Sequence, residues 1–251
     1  DIMLFSQDVA TGKKLIQQAI DQKEIPQERV EESVKKILLT KYYLGLNQYE
    51  PRNPKNINED LNNASHAAIV QKMYANALTL IKDDKKLLPL NCNQTYYYVP
   101  LEEAPYQTFL EQLNLNTTII IKKSSEISTI PANSTVIVGF HKDNSTAYKP
   151  YKISAESKKI IAELTKNQKV VLNVFGSAYA LQDVDISKIS TVLVSYENND
   201  DSMIATAKAF CGQTKIWGKL PVLVSDQLKA GMGLELNPSS RINLPFKTII
   251  E

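Results

Sequence analysis

The chain has 251 residues, 43% of them hydrophobic and 22% charged, with 29 Lys and Arg against 27 Asp and Glu for a formal charge of +2. That length and composition suit one large or two smaller globular domains with a core of ordinary size. The charge is close to neutral, and lysines such as Lys13-Lys14 and Lys35-Lys36 alternate with acids, so the basic stripe of a nucleic-acid binder is missing. No apolar run approaches the roughly 20 residues of a membrane span, and no signal peptide is visible. Cys92 and Cys211 fit no metal or redox spacing, and are read as two buried thiols or, alternatively, one disulfide. His66 and His141 are too few for a zinc site of the usual kind, and no metal is expected.

In chain order, Asp1-Ile2-Met3-Leu4-Phe5 reads as the middle of a strand, which sets the expectation that residue 1 is not the natural start. A helix with Leu15, Ile16, Ala19 and Ile20 on one face follows. Pro26 opens a second helix, with Val30, Val34, Ile37 and Leu38 at helical spacing and Gly45 as its stop. One strand and two helices cannot close a core. Residues 47–60 read as an extended linker, and a helix over roughly 62–79 is expected to turn Ile69, Met73 and Ala77 inward. It runs into Thr79-Leu80-Ile81-Lys82, a turn at Asp83-Asp84, and Leu87-Leu88-Pro89-Leu90.

From about residue 95 short β-rich runs alternate with helices. Strands are expected at Tyr96–Val99, Thr118–Lys122, Thr135–Phe140, Lys169–Phe175 and Thr191–Tyr196, and helices near 104–113, 154–166, 178–182 and 201–211, the second capped by Ser154. Runs such as Thr135-Val136-Ile137-Val138 and Val170-Val171-Leu172 are apolar on both faces, the mark of parallel strands covered on both sides. The fold class is therefore α/β: a mostly parallel sheet sandwiched between helices.

In such sheets ligands bind outside the carboxyl ends of the strands. Three loops are placed there: His141-Lys142-Asp143-Asn144, Gly176-Ser177-Ala178-Tyr179 and Glu197-Asn198-Asn199-Asp200. Each can hydrogen-bond a polyol, and each is equally well explained as a solvated loop. His141, Asp143, Asn144 and Asn198 are the candidate substrate-binding residues. A His141–Asp143 pair has the chemistry for acid–base work, against the plainer reading of two neighbours on a loop. His66 is read as a surface or packing residue. No dinucleotide fingerprint, Walker loop or nucleophile elbow is present, so no cofactor is expected. No catalytic residue is assigned.

The order of segments resembles glycoside hydrolase family 3 from the end of its catalytic barrel onward. Asp1-Ile2-Met3-Leu4, Val30-Glu31-Glu32-Ser33-Val34-Lys35-Lys36-Ile37-Leu38 and Lys41-Tyr42-Tyr43-Leu44-Gly45-Leu46 are similar to the family's barrel end. Ala77-Leu78-Thr79-Leu80-Ile81-Lys82 with Leu87-Leu88-Pro89-Leu90 is similar to its connector. Trp217-Gly218-Lys219-Leu220-Pro221-Val222, followed by Gly231-Met232-Gly233, is similar to the close of its second domain.

The resemblance implies a strand-helix-helix remnant of a (β/α) barrel at 1–46, a linker and connector helix at 47–94, and an α/β-sandwich domain at 95–251. In the family the nucleophile is a barrel Asp. The acid–base group is either a barrel Asp–His dyad, in the N-acetylglucosaminidase branch, or a Glu of the sandwich domain. The loop at 141–152 contains no Glu, which points to the β-N-acetylglucosaminidase-like branch. The chain is then the C-terminal portion of a retaining hydrolase of O-glycosidic bonds, inactive alone. Its implied partners are an N-terminal barrel and that enzyme's carbohydrate substrate, with no nucleic acid and no membrane span, and a periplasmic or secreted location. Two further readings stay open: a non-catalytic carbohydrate-binding or scaffold module, and a small flavodoxin-like enzyme.

Overall fold

Strands that are apolar on both faces need cover on both, and this requirement sets the architecture. The computed structural model describes residues 1–239 except 52, 92, 144, 145 and 147. They fall into two compact units, Asp1–Leu61 and the residues from Asn62 onward.

The larger unit is built on six strands: β1 (Thr79–Asp83), β2 (Thr95–Leu101), β3 (Thr118–Ile121), β4 (Thr135–His141), β5 (Lys169–Phe175) and β6 (Thr191–Val194). Their order in the sheet is β1-β6-β5-β4-β2-β3. All neighbours are parallel except β1, which runs antiparallel to β6. Alternation along β4 and β5 sends Val136, Val138, Phe140, Val170, Leu172 and Val174 to one face, where they meet Ile161 and Leu164. These two lie on α6 (Ala155–Asn167), whose Ser154 cap accepts from Ser157 N–H at 3.1 Å. Ile137, Val171 and Phe175 go to the other face. They meet Phe109 and Leu113 of α5 (Gln107–Asn114) and Met203 and Phe210 of α7 (Asp200–Phe210). A mostly parallel sheet between helices is thus the observed fold.

Three local expectations are corrected. The sheet begins at Thr79 rather than near 95, because β1 finds its partner more than a hundred residues downstream. Its outer side is bridged in turn by Leu234, whose N–H donates to Leu80 O at 2.7 Å. Helix α4 (Ala64–Ala77) leaves Ile69 and Met73 exposed. It turns Val70, Gln71, Tyr74 and Ala75 inward instead, a rotation of roughly 150° on the helical wheel at about 100° per residue. Residues 2–5 form no ladder: a strand exists only where another backbone edge pairs with it, and none does so among the described residues.

The smaller unit holds α1 (Val9–Asp21), α2 (Gln27–Tyr43) and α3 (Ile57–Leu61). Asp8 caps α1 by accepting from Thr11 N–H at 3.0 Å, Pro26 precedes α2, and Gly45 follows it at φ 75. None of the three helices has a buried residue. Ile20, Val30, Val34, Leu38, Leu39 and Tyr42 line an open apolar groove of about 790 Å³. Cys211 is buried in the larger unit, whereas Cys92 lies outside the described residues, and the disulfide alternative with it.

Candidate functional site

The chain leaves β2, crosses one face through α5 to the edge strand β3, and returns on the far side of β2 to begin β4. Strand order therefore reverses between β2 and β4. Connections diverge to opposite faces at such a point and leave a crevice outside the carboxyl ends of the two strands. A cleft of about 760 Å³ lies there. Glu102, Glu103, Ala104 and Pro105 of the β2 exit form one wall, and His141, Lys142 and Asp143 of the β4 exit form another, with Lys149, Pro150 and Asn198 completing it.

The β2 exit is held rigidly. Glu102 adopts the left-handed conformation at φ 66, which costs a non-glycine residue about 1–2 kcal/mol. Its carboxylate accepts from Ser154 N–H at 3.0 Å, Ser157 Oγ at 2.8 Å and Lys142 Nζ at 3.1 Å. It thereby supplies negative charge at the start of α6, the end where a helix stabilises it. Burial works to raise the Glu102 carboxyl, but these hydrogen bonds outweigh it and hold the group below the usual carboxylate range.

His141 is the last residue of β4 and is fully buried. Its ring stacks on Phe175 at 4.6 Å and 16°. Tyr98 Oη bonds to Nε2, and Nδ1 lies 2.6 Å from Asn198 Oδ1. Burial pushes His141 down to about 4, against a smaller upward pull from Asn198. It pushes the Tyr98 phenol up, with the Tyr106 charge adding to it. At neutral pH the assignment follows: Tyr98 donates to Nε2, and the imidazole donates its Nδ1 proton to Asn198. Asn198 Nδ2 then donates to Pro105 O at 2.9 Å. This chain of bonds fastens the β2 exit to the segment after β6 through the end of β4. Gly139 makes room for it, since a Cβ there would fall on Tyr98 Oη and His141 Nε2.

The structure brings His141, Asp143 and Asn198 to one cleft, while Asn144 lies outside the described residues. The His141–Asp143 acid–base idea is corrected. Both imidazole nitrogens are committed elsewhere, and Asp143 pairs with Lys149. The Gly176–Tyr179 loop opens a short 3₁₀ turn capped by Ser177. In the next loop Asn199 caps α7, and Glu197 accepts from Tyr74 Oη at 2.5 Å and Asn199 Nδ2 at 2.8 Å. His66 is exposed near the start of α4, on the surface as expected. The sequence reading passed over Glu102 and Glu103, although an acidic pair directly after a β-rich run is a signal for the carboxyl end of a strand. Among the described residues no group of three or more His, Cys, Asp or Glu is placed to hold a metal, and no helix is long and apolar enough to cross a membrane.

No family model and no curated protein matches the chain. Solved structures do. A beta-glucoside phosphorylase BglX bound to 2FGlc matches with a TM-score of 0.61 at 17% identity, over 82% of this chain and 40% of that one. A beta-glucosidase from Listeria innocua, in complex with isofagomine, gives 0.63 at 12%, over 81% and 33%. A fungal multi-domain GH3 beta-N-acetylglucosaminidase gives 0.56 at 15%, over 90% and 26%. The chain spans between about a quarter and two fifths of the length of these proteins. The likeness is one of fold: the mostly parallel α/β architecture of this chain recurs in part of each of these proteins, without singling out a branch among them.

Proposed function

We propose that this chain is the C-terminal portion of a retaining family 3 glycoside hydrolase of the β-N-acetylglucosaminidase-like branch. Residues 1–46 act as the end of its (β/α) barrel, 47–78 as linker and connector helix, and residues from Thr79, where β1 opens the sheet, as the α/β-sandwich domain. The sandwich domain braces the barrel and lends loop contacts to the sugar. The observation that carries this reading is the fold likeness to a beta-glucosidase over 81% of the chain and to a fungal GH3 beta-N-acetylglucosaminidase over 90% of it.

Two features support a bracing rather than a self-sufficient catalytic role. The helices of the first unit bury nothing and carry an apolar groove, as elements shaped to pack on a missing partner do. And glycoside hydrolysis needs two available carboxyls. Of the three carboxylates on the cleft wall, Glu102 and Asp143 carry lysine partners, which leaves Glu103.

The test is turnover of a nitrophenyl β-N-acetylglucosaminide. The purified chain should show none, and mixing it with the barrel polypeptide of its parent enzyme should restore it. Rapid turnover by the chain alone, or no gain on adding the barrel, overturns the proposal.

A further inference from the structure

The face of the sheet that packs on α5 and α7 carries a second row of polar groups. Asn173 lies on β5 between Val171 and Phe175 in the alternation, shares their face, and is fully buried. Its Oδ1 accepts from Ser195 Oγ at 3.0 Å, and Ser195 Oγ lies 2.8 Å from Thr206 Oγ1. Thr206 Oγ1 donates to Ser202 O at 2.7 Å, and Ser202 Oγ donates to Ser195 O at 2.9 Å. Ser195, Ser202 and Thr206 are buried as well, so these bonds tie the end of the sheet to α7 in a dry core. Asn173 Nδ2 has no hydrogen-bond partner among the described residues. Turning the amide over exchanges nitrogen for oxygen and leaves that same side without a partner. A buried amide unpaired on one side is costly, and a folded protein commonly meets such a group with an ordered water.

Tyr98 offers the other contact such a water needs. Gly139 is the register partner of Asn173 on β4, and Tyr98 Oη occupies the space where a Cβ on Gly139 would lie. Neighbouring strands stand about 4.8 Å apart, which puts the phenol oxygen beyond a direct bond to the amide and within the span of one bridging molecule. The phenol gives its proton to His141 Nε2 and keeps a lone pair. A water can donate to that lone pair and either accept from Nδ2 or donate to Oδ1, whichever way the amide is turned. None of these groups is charged at neutral pH, which disfavours an ion.

We infer that one water molecule is a structural ligand of this core, bound between Tyr98 Oη and the Asn173 amide. It joins two chains of hydrogen bonds, Pro105–Asn198–His141–Tyr98 and Asn173–Ser195–Thr206–Ser202, into one that runs from the β2 exit to α7. The inference is independent of the carbohydrate reading and of the barrel partnership.

Oxygen-17 relaxation dispersion of the solvent counts waters held longer than the tumbling time of the protein. The full chain carrying Asn173→Leu should hold one such water fewer than the native chain. Glu111→Gln, on the exposed side of α5, should hold the native number. Equal counts in the native chain and Asn173→Leu overturn the inference. A crystal structure of the native chain decides the matter even if Asn173→Leu does not fold. It should show a single water within about 3.2 Å of both Tyr98 Oη and the Asn173 amide, and a direct contact or an apolar side chain in that place overturns the inference.

Discussion

Asp1–Leu61 and the region from Asn62 onward use similar proportions of apolar residues to opposite ends. In the second region Val136, Ile137, Val138 and Phe140 lie in consecutive or near-consecutive positions and are all fully buried, because the sheet is covered on both faces. In the first, Val30, Val34 and Leu38 recur at helical spacing with equal regularity, yet Leu38 is 58% exposed. Pattern determines which face of an element is apolar, and only topology determines whether anything covers it. One region buries its apolar side chains around a covered sheet. The other is a set of helices without a buried residue among those described.

The largest expected effect lies in the covered sheet. Phe140→Ala empties a fully buried position and should cost about 3–5 kcal/mol in urea unfolding followed by sheet-specific probes. A loss below about 1 kcal/mol would mean the core around β4 is loosely packed.

Next comes the buried imidazole. His141 is depressed from 6.5 to about 4, so its neutral form is the one the folded state accepts. The stability it contributes is fully present above pH 6.5 and is lost as the pH falls through 4. At about 1.36 kcal/mol per pKa unit, the total is on the order of 3 kcal/mol. Urea midpoints should drop between pH 7 and pH 4 in the native sequence, and drop less in His141→Gln. Parallel curves would show that His141 titrates normally.

A smaller effect is expected at the helix that frames the cleft. Ser154→Ala removes the cap of α6 and should cost about 1 kcal/mol. The smallest belongs to the first unit, where Leu38→Ala should change stability by less than about 0.5 kcal/mol. A large loss there would show that its groove is already filled in the isolated chain.

How much of this was legible depends on the range of each interaction. The parallel sheet was readable because runs such as Val170-Val171-Leu172 carry their burial in their own composition, and the α6 start because Ser154 bonds only three residues ahead. The rotation of α4 was not, since Ile69 and Met73 offer as good an apolar stripe as the arc the helix turns inward. The cleft was half legible. Its strand-end position follows from the alternation of elements, but the role of His141 depends on Tyr98 and Asn198, 43 and 57 residues away. The β2 exit was not legible, because the reversal of strand order there depends on β3 lying at the sheet edge, which no local pattern encodes.

Native-state hydrogen exchange on the purified chain tests the contrast between the two regions most directly. Amides of β4, β5 and β6 should exchange only through global unfolding, and those of α1 and α2 through local opening at far lower free energy. Equal protection in α1, α2 and β5 would contradict the account, because it would mean the helical unit needs no partner to be stable.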